Sequence, residues 1–421
     1  MSSALSAAES GLNGSQTTLA NIAQNLANSN TVGYKQTQTE FQTVYMNQLQ
    51  GASAPTATTG GTNPITEAAG SAVNLAATQT DFTEGSLQQT GITSNMAITG
   101  NGWFIMHTPT GPAYTRAGDF TINAKGQLTD PNGNLVMGWN AATLAAGSQT
   151  AANMQPIVIN SNASQAPQAS TDITLSGNLN SSSVGTTAAS TTTKTVPVTV
   201  YDSQGNAINA QMEFSHPTAV SGGGVSWTVN LYPQGSTTAY GAATTLTFSS
   251  TGTPSWSAAP SWTITPTDGS KSMTLTVPTK DLSGLTSTAS ATTATASANG
   301  YPAGTLSSYT VAANGAINGT FSNGQTEALG QVALAQFANQ QGLSAAGTNL
   351  YTATANSGTA IVGQPNSGGL GSLVDGSVEN SNVNLAQQFT QMAAAQENYS
   401  ANAKVLTIDQ TNRTALVNSV Q

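Results

Sequence analysis

Residues 25–35 read NLANSNTVGYK, and they mark the place where a helix stops. Ahead of them Leu5, Leu12, Leu19 and Leu26 recur at every seventh position. Ala8, Ser15, Ile22 and Ser29 fill the position three further on. This is a heptad seam, large at one position and mostly small at the other. Asn28, Ser29 and Asn30 carry short polar side chains that compete for backbone bonds and favour a helix stop. Gly33 suits the left-handed turn that follows. The stretch therefore reads as an exit from a helical layer into an extended linker.

The far end of the chain repeats the pattern. Leu385, Met392, Tyr399 and Leu406 are again seven apart, with Phe389 and Ala403 widening the stripe. The next step of seven lands on Arg413, so the seam shifts and continues through Leu416, Val417 and Val420. Isolated helices of this length are marginal in water. Burying one Leu contributes about 1.5–3 kcal/mol, so a few per helix order both ends once a partner exists. Each helix is the other's nearest partner, and the pair predicts an α-helical coiled coil. Apolar surface left on that pair invites further copies. The candidate self-assembly residues are Leu5, Leu12, Leu19, Ile22, Leu26, Leu385, Phe389, Met392, Tyr399 and Leu406.

Between these ends the 421-residue chain changes character. Residues 36–80 are polar and rich in Gly, Thr and Ala, and read as an extended linker. From about 81 the pattern is β. Short apolar runs in FTINAKGQLTDPNGNLVMGW (120–139) are split by turn signals, and 301–340 carry Asn-Gly at 314–315, 318–319 and 323–324. Residues 81–145 with 301–379 are expected to form one inner β domain. The insert 146–300 has its own alternation: Val196, Val198 and Val200; Ile208, Ala210, Met212 and Phe214; Trp227, Val229 and Leu231. Period-two burial of this kind predicts an antiparallel sandwich or barrel. The fold class is thus multidomain, with nested mainly-β domains and a helical domain made of 1–35 with 380–421.

Composition excludes several chemistries. Only 6% of residues are charged, net charge is −9, and the eight Lys and Arg are scattered, so no nucleic-acid footprint exists. There is no Cys, hence no disulfide, thiolate site or cysteine nucleophile. MSSALSAAES lacks a basic start and an apolar core, and no secretory signal is read there. No apolar run approaches the ~18 residues of a membrane span. His107 and His216 sit in strand-end or turn contexts, and no nucleophile elbow or phosphate loop occurs. Asp81 with Glu84, and Asp119 with Asp130, lack the aromatic groove of a glycosidase. Arg116 reads as tying a β-turn or meeting a neighbour. DPNGN reads as a turn, not a calcium loop. No enzyme, metal or cofactor is expected.

Three stretches carry a resemblance. NLANSNTVGYK is similar to the N-terminal signature of the flagellar rod–hook axial family, through Ala27, Asn28, Thr31, Gly33 and Lys35. ITGNGWFIM and the Tyr114–Trp139 region resemble that family's first β domain. NVNLAQQFTQMAAAQENYSANAKVL resembles its C-terminal helix, through Asn398, Tyr399, Ala401 and Asn402, with Glu397 where the family usually carries Arg. VTVYDSQGNAINAQMEF (198–214) and residues 301–351 are similar to the hook branch. The resemblance implies an extracellular structural subunit of the bacterial flagellum, in the hook and basal body. Many copies would stack helically into a flexible, curved tube, a universal joint passing torque from rod to filament. Implied partners are further copies, the hook cap, the distal rod, hook–filament junction proteins and the type III export apparatus, with no membrane insertion. The alternatives are a distal rod protein of the same family and, from another class, a secreted β-rich adhesin, which would not need heptads at both ends.

Overall fold

The computed structural model describes residues 2–43, 47–50, 65–67, 73–183, 193–266 and 269–419. The chain divides into two compact units. One comprises 1–160, 309–318 and 328–421; the other comprises 161–308 and 319–327.

In the first unit, helix α1 spans Ser2–Ala27, α2 is the short Ala141–Ala145, and α3 spans Leu385–Ser419. The two terminal helices pack antiparallel: Asn25 meets Gln388, while Gly11, fourteen residues back along α1, lies against Asn402, fourteen residues forward along α3. Residues 36–80, expected as an extended linker, are strands over much of what is described. Thr37–Thr43 pairs antiparallel with Val73–Thr80, and Asn47–Gln50 with Ile65–Glu67. Their Thr- and Gln-rich sequence lacks apolar alternation because the Thr37–Thr43 strand is only half covered, with one edge against α1.

The β part of this unit is built on the strand Trp103–Thr108. It pairs antiparallel with Gly111–Thr115, Leu135–Asn140 and Leu334–Gln336. Trp103, Ile105, Tyr114, Trp139, Phe337 and Tyr351 form its core, with Trp103 edge-on to Tyr351 at 5.1 Å and to Phe82 at 5.2 Å. Residues 146–160, read from the sequence as the start of the insert, return to this sheet, where Gln155 and Pro156 pair with Gly138 and Met137. The C-terminal chain then runs back beside the N-terminal one. Ser372–Asp375 pairs with Met96–Thr99, and Ser377–Glu379 with Leu87–Gln89.

The second unit holds a five-stranded antiparallel sheet in sequence order from Lys194–Tyr201 to Pro254–Trp256. Beside it is a three-stranded sheet centred on Ile173–Asn180. One pair in that smaller sheet, Ile173–Asn180 with Gly284–Thr288, is parallel, unlike the wholly antiparallel expectation. The alternating residues read from the sequence point inward. Val196, Val198, Val200, Met212, Phe214, Trp227, Val229 and Leu231 are all buried in one core. Asp202 anchors the YDSQGN turn, accepting from the Gln204 and Asn206 amides at 2.8 and 2.9 Å and from Ser270 at 2.9 Å. Asp130 does the same in DPNGN for Asn132 and Asn134.

Candidate assembly surface and the joint beneath it

The heptads do not bury the residues that define them. Along α1 the covered positions are Ala8, Ser15, Ile22 and Asn25. Leu12, Leu19 and Leu26, three residues ahead of the Ser15, Ile22 and Ser29 positions, are only half-buried, as is Leu5. The same offset holds in α3. Gln388, Ala395 and Asp409 are buried, with Asn402 half-buried between them, while Met392, Tyr399 and Leu406 stay half-buried. Leu385 and Phe389, expected on the stripe, are exposed, Phe389 by 54%. Small and amide side chains allow close approach of the two backbones, so the larger ones are displaced to the flanks. A Cβ on Gly11 would lie 2.6 Å from the Asn402 amide, which shows how near the helices run.

Flanks and overhang together make an uncovered apolar surface. α3 has 35 residues against 26 in α1, and every described residue beyond Asp409 is exposed. Val405, Ile408, Leu416 and Val417 all face solvent, Leu416 and Val417 at 57 and 59%. A groove of about 460 Å³ opens between α1, α3 and the strand Thr37–Thr43. Gly11, Gly14, Ala394, Ala395, Asn398 and Phe41 line it.

The signature residues divide between two tasks. Asn398 and Asn402 line the groove and Tyr399 is half-buried, whereas Ala27 and Ala401 are exposed. Asn28 and Thr31 close α1: Asn28 Nδ2 donates to the Gln24 carbonyl (2.9 Å), and Thr31 Oγ1 donates to Asn28 Oδ1 (3.2 Å). Gly33 has φ +68°, and a Cβ there would meet the Ala117 nitrogen at 2.4 Å, so only glycine fits.

Lys35 is wholly buried and points to an acid that no motif or periodicity singles out. Its Nζ donates to Glu379 Oε1 at 2.5 Å and to the Thr83 carbonyl at 2.6 Å. Glu379 is itself fully buried. Its Oε1 also accepts from the Gly85 amide (2.8 Å), its Oε2 from Arg116 Nη1 (3.5 Å), and its carbonyl from the Gly33 amide (2.7 Å). Arg116 therefore belongs to this cluster, not to a turn or a neighbour. Its Nη2 donates to Gly100 O at 2.8 Å, and its guanidinium lies 5.6 Å from the Trp103 ring centre. Burial pushes Lys35 below its ordinary range, opposed by the Glu379 charge; burial lowers Arg116 likewise, opposed by Glu379 and Glu84. Glu379 sits in DGSVEN, an isolated acid without periodicity or spacing; only its place in the return strand exposes its role.

An amide network continues from this joint to the helices. Asn25 Oδ1 accepts from Tyr34 Oη (3.1 Å) and the Thr37 amide (3.0 Å), and its Nδ2 donates to Thr37 O (2.8 Å). Asn382 Oδ1 accepts from the Gln36 amide (2.7 Å), and its Nδ2 donates to Asp81 O (2.8 Å). Against the cost of its partial burial, hydrogen bonds from Gln36 and Thr83 hold Asp81 below the usual carboxylate value. Asp81 and Glu84 are thus bonded into the joint, Glu84 through the Gly100 amide at 3.0 Å. Among the described residues no group of three or more His, Asp or Glu is placed to hold a metal ion, and no helix is long and apolar enough to cross a membrane.

Comparison with known proteins places the same segments in one lineage. Residues 97–187 match the family described as flagellar hook protein FlgE/F/G D1 domain. Residues 374–419 match the flagellar basal body rod FlgEFG protein C-terminal family, and 5–35 the flagella basal body rod protein family. The flagellar hook protein FlgE of Escherichia coli is 32% identical over 427 residues, covering 99% of this chain and 99% of its own. Its counterpart in Salmonella typhimurium is 31% identical, covering 98% and 99%. In Treponema pallidum the figures are 31%, 94% and 95%. A crystal structure of Helicobacter pylori flagellar hook protein FlgE2 aligns with TM-score 0.52 at 15% identity, over 68% of this chain and 98% of that one, a likeness of fold.

Proposed function

The chain belongs to the flagellar hook protein family, and we infer that it is a structural subunit of the extracellular flagellar hook, not an enzyme, whose copies polymerise through the terminal helices. One observation carries the polymerisation reading: the α1–α3 pair buries small and amide side chains and leaves Phe389, Ile408, Leu416 and Val417 in water. Covering each contributes about 1–2 kcal/mol, and only neighbouring copies bring enough apolar area at once to offset the several kcal/mol lost on association. The groove and the overhang are different patches, so a contact between them is heterologous, and a heterologous contact whose rotation does not close builds an open helical tube. In that tube the terminal pair extends into a coiled-coil inner layer through Leu5, Leu12, Leu19, Leu26, Leu385, Phe389, Met392, Tyr399 and Leu406, with Ile22 already enclosed within the pair. The sheets of 161–308 form a closed sandwich. With only 6% of its residues charged, the chain meets its neighbours through polar contacts that exchange at low cost, and the tube bends as a universal joint between rod and filament. Its further partners are the hook cap, the distal rod, the junction proteins and the type III export apparatus.

Electron microscopy of the purified chain tests this. Concentrated wild-type protein should form short, curved tubes, and Leu19→Asp should form none while keeping its β-sheet circular dichroism. Wild-type protein that stays monomeric under all polymerising conditions would refute the reading.

A further inference from the structure

We propose that Glu379 is a positioning residue for assembly: it fixes the exit of α1 and the approach to α3 in one relation without touching a neighbouring copy. The proposal rests on the assembly reading above. Four groups from three parts of the chain converge on Glu379: Lys35 Nζ, the Gly85 amide and Arg116 Nη1 on its carboxylate, and the Gly33 amide on its backbone carbonyl. Gly33 and Lys35 leave α1, and Glu379 stands six residues before α3. Two of these contacts join segments 344 and 294 residues apart in sequence. The site has a polarity. Position 379 takes an anion, because Gly85 N–H and Arg116 both donate to it; position 35 takes a cation, because the Thr83 carbonyl accepts from it.

A generic buried ion pair is weak evidence for stability, since packed apolar residues do as well. What such a pair does supply here is a fixed orientation at the base of a long lever. α3 is about 52 Å long at 1.5 Å per residue, so a tilt of about 5° at its root moves its tip by about 4–5 Å. Side chains that must interdigitate with another copy do not tolerate that displacement. The signature residues Gly33 and Lys35 then have an internal task, setting where Leu416 and Val417 point, and are not themselves contact residues.

Two substitutions separate length from charge. Glu379→Gln keeps the length and loses the charge; Glu379→Asp keeps the charge one methylene short. Amide hydrogen exchange on the full-length monomer should show Gly85, whose amide donates to the carboxylate, exchanging about a hundredfold faster in Glu379→Gln, as expected when one partner of a buried pair is lost. Exchange in the strands around Trp227 and the thermal transition of that core should not move. In electron micrographs the variant tubes should be absent or altered in helical repeat, with Glu379→Asp nearer wild type. Should Glu379→Gln fail to fold, Lys35→Met/Glu379→Gln removes the stranded ammonium and serves in its place. Unchanged protection at Gly85, or tubes of wild-type repeat from a variant that has lost that protection, would overturn the proposal. Failure of the wild type to polymerise would overturn the assembly reading instead.

Discussion

In the unit that holds residues 161–308, Trp227, Trp262, Phe214 and Leu231 are fully enclosed by side chains of the same unit. In the α1–α3 pair the enclosed side chains are Ala8, Ser15, Ile22, Asn25, Gln388, Ala395 and Asp409, and one large aromatic, Phe389, lies outside. Both regions are patterned, one with period two and the other with period seven. The sheet unit spends its pattern on its own core. The helix pair spends the small half of its heptad on itself and holds the large half at its flanks. The contrast separates residues that fold the chain from residues that join copies of it, and it gives each class its own signature under mutation.

The largest effect on chain stability is expected in the sheet unit. Trp227→Ala should destabilise it by about 3–5 kcal/mol, through lost transfer energy and the cavity left behind. The check is the urea midpoint followed by tryptophan fluorescence. A cost below about 1 kcal/mol would mean that this core does not close on itself.

Next comes Gly33→Ala, at the joint. A non-glycine residue at positive φ costs about 1–2 kcal/mol, and the clash with the Ala117 backbone adds to it. Loss of exchange protection at residues 31–37, with the Trp227 core unchanged, is the expected readout.

A pH effect distinguishes the regions further. Burial alone would raise the Asp202 carboxyl, but hydrogen bonds from Asn206, Ser270 and Gln204 outweigh it and hold the group well below the ordinary range. A depressed folded pKa contributes stability that is present above the unfolded value of about 3.9 and is lost as pH falls below it. Asp202→Asn should therefore flatten the acid limb of unfolding for the sheet unit below about pH 4. An acid limb identical to wild type would remove Asp202 from the account.

The smallest effect on the isolated chain is expected from Leu416→Asp. This exposed position should change monomer stability by no more than about 0.5 kcal/mol, yet the critical concentration for polymerisation should rise at least about tenfold, because a charge would be buried at the contact.

How much of this was readable from residues alone follows from where each signal lies. Both terminal helices, and the inward faces of strands such as Val196–Val198–Val200, were legible because their periodicity is local. The exact facing of the helices was not. The Leu positions promise a seam by size, but backbone approach at Gly11 and Asn402 turns the Ala8–Ser15–Ile22 line inward, a fact of two helices at once. The strands within 36–80 were hidden because Thr and Gln read as linker when one face is wet. Gly33 and Lys35 stood out through resemblance, but Glu379 could not, since its four contacts come from segments that only the folded chain brings together.

The central claim is that the terminal helices keep large apolar side chains uncovered until other copies cover them. The chain has no cysteine, so Phe389→Cys and Leu416→Cys each provide a single thiol whose labelling rate reports exposure directly. The account predicts labelling at rates near those of an unstructured thiol in the monomer and strong protection at both positions in the assembled tube. Equal labelling in monomer and tube would contradict it.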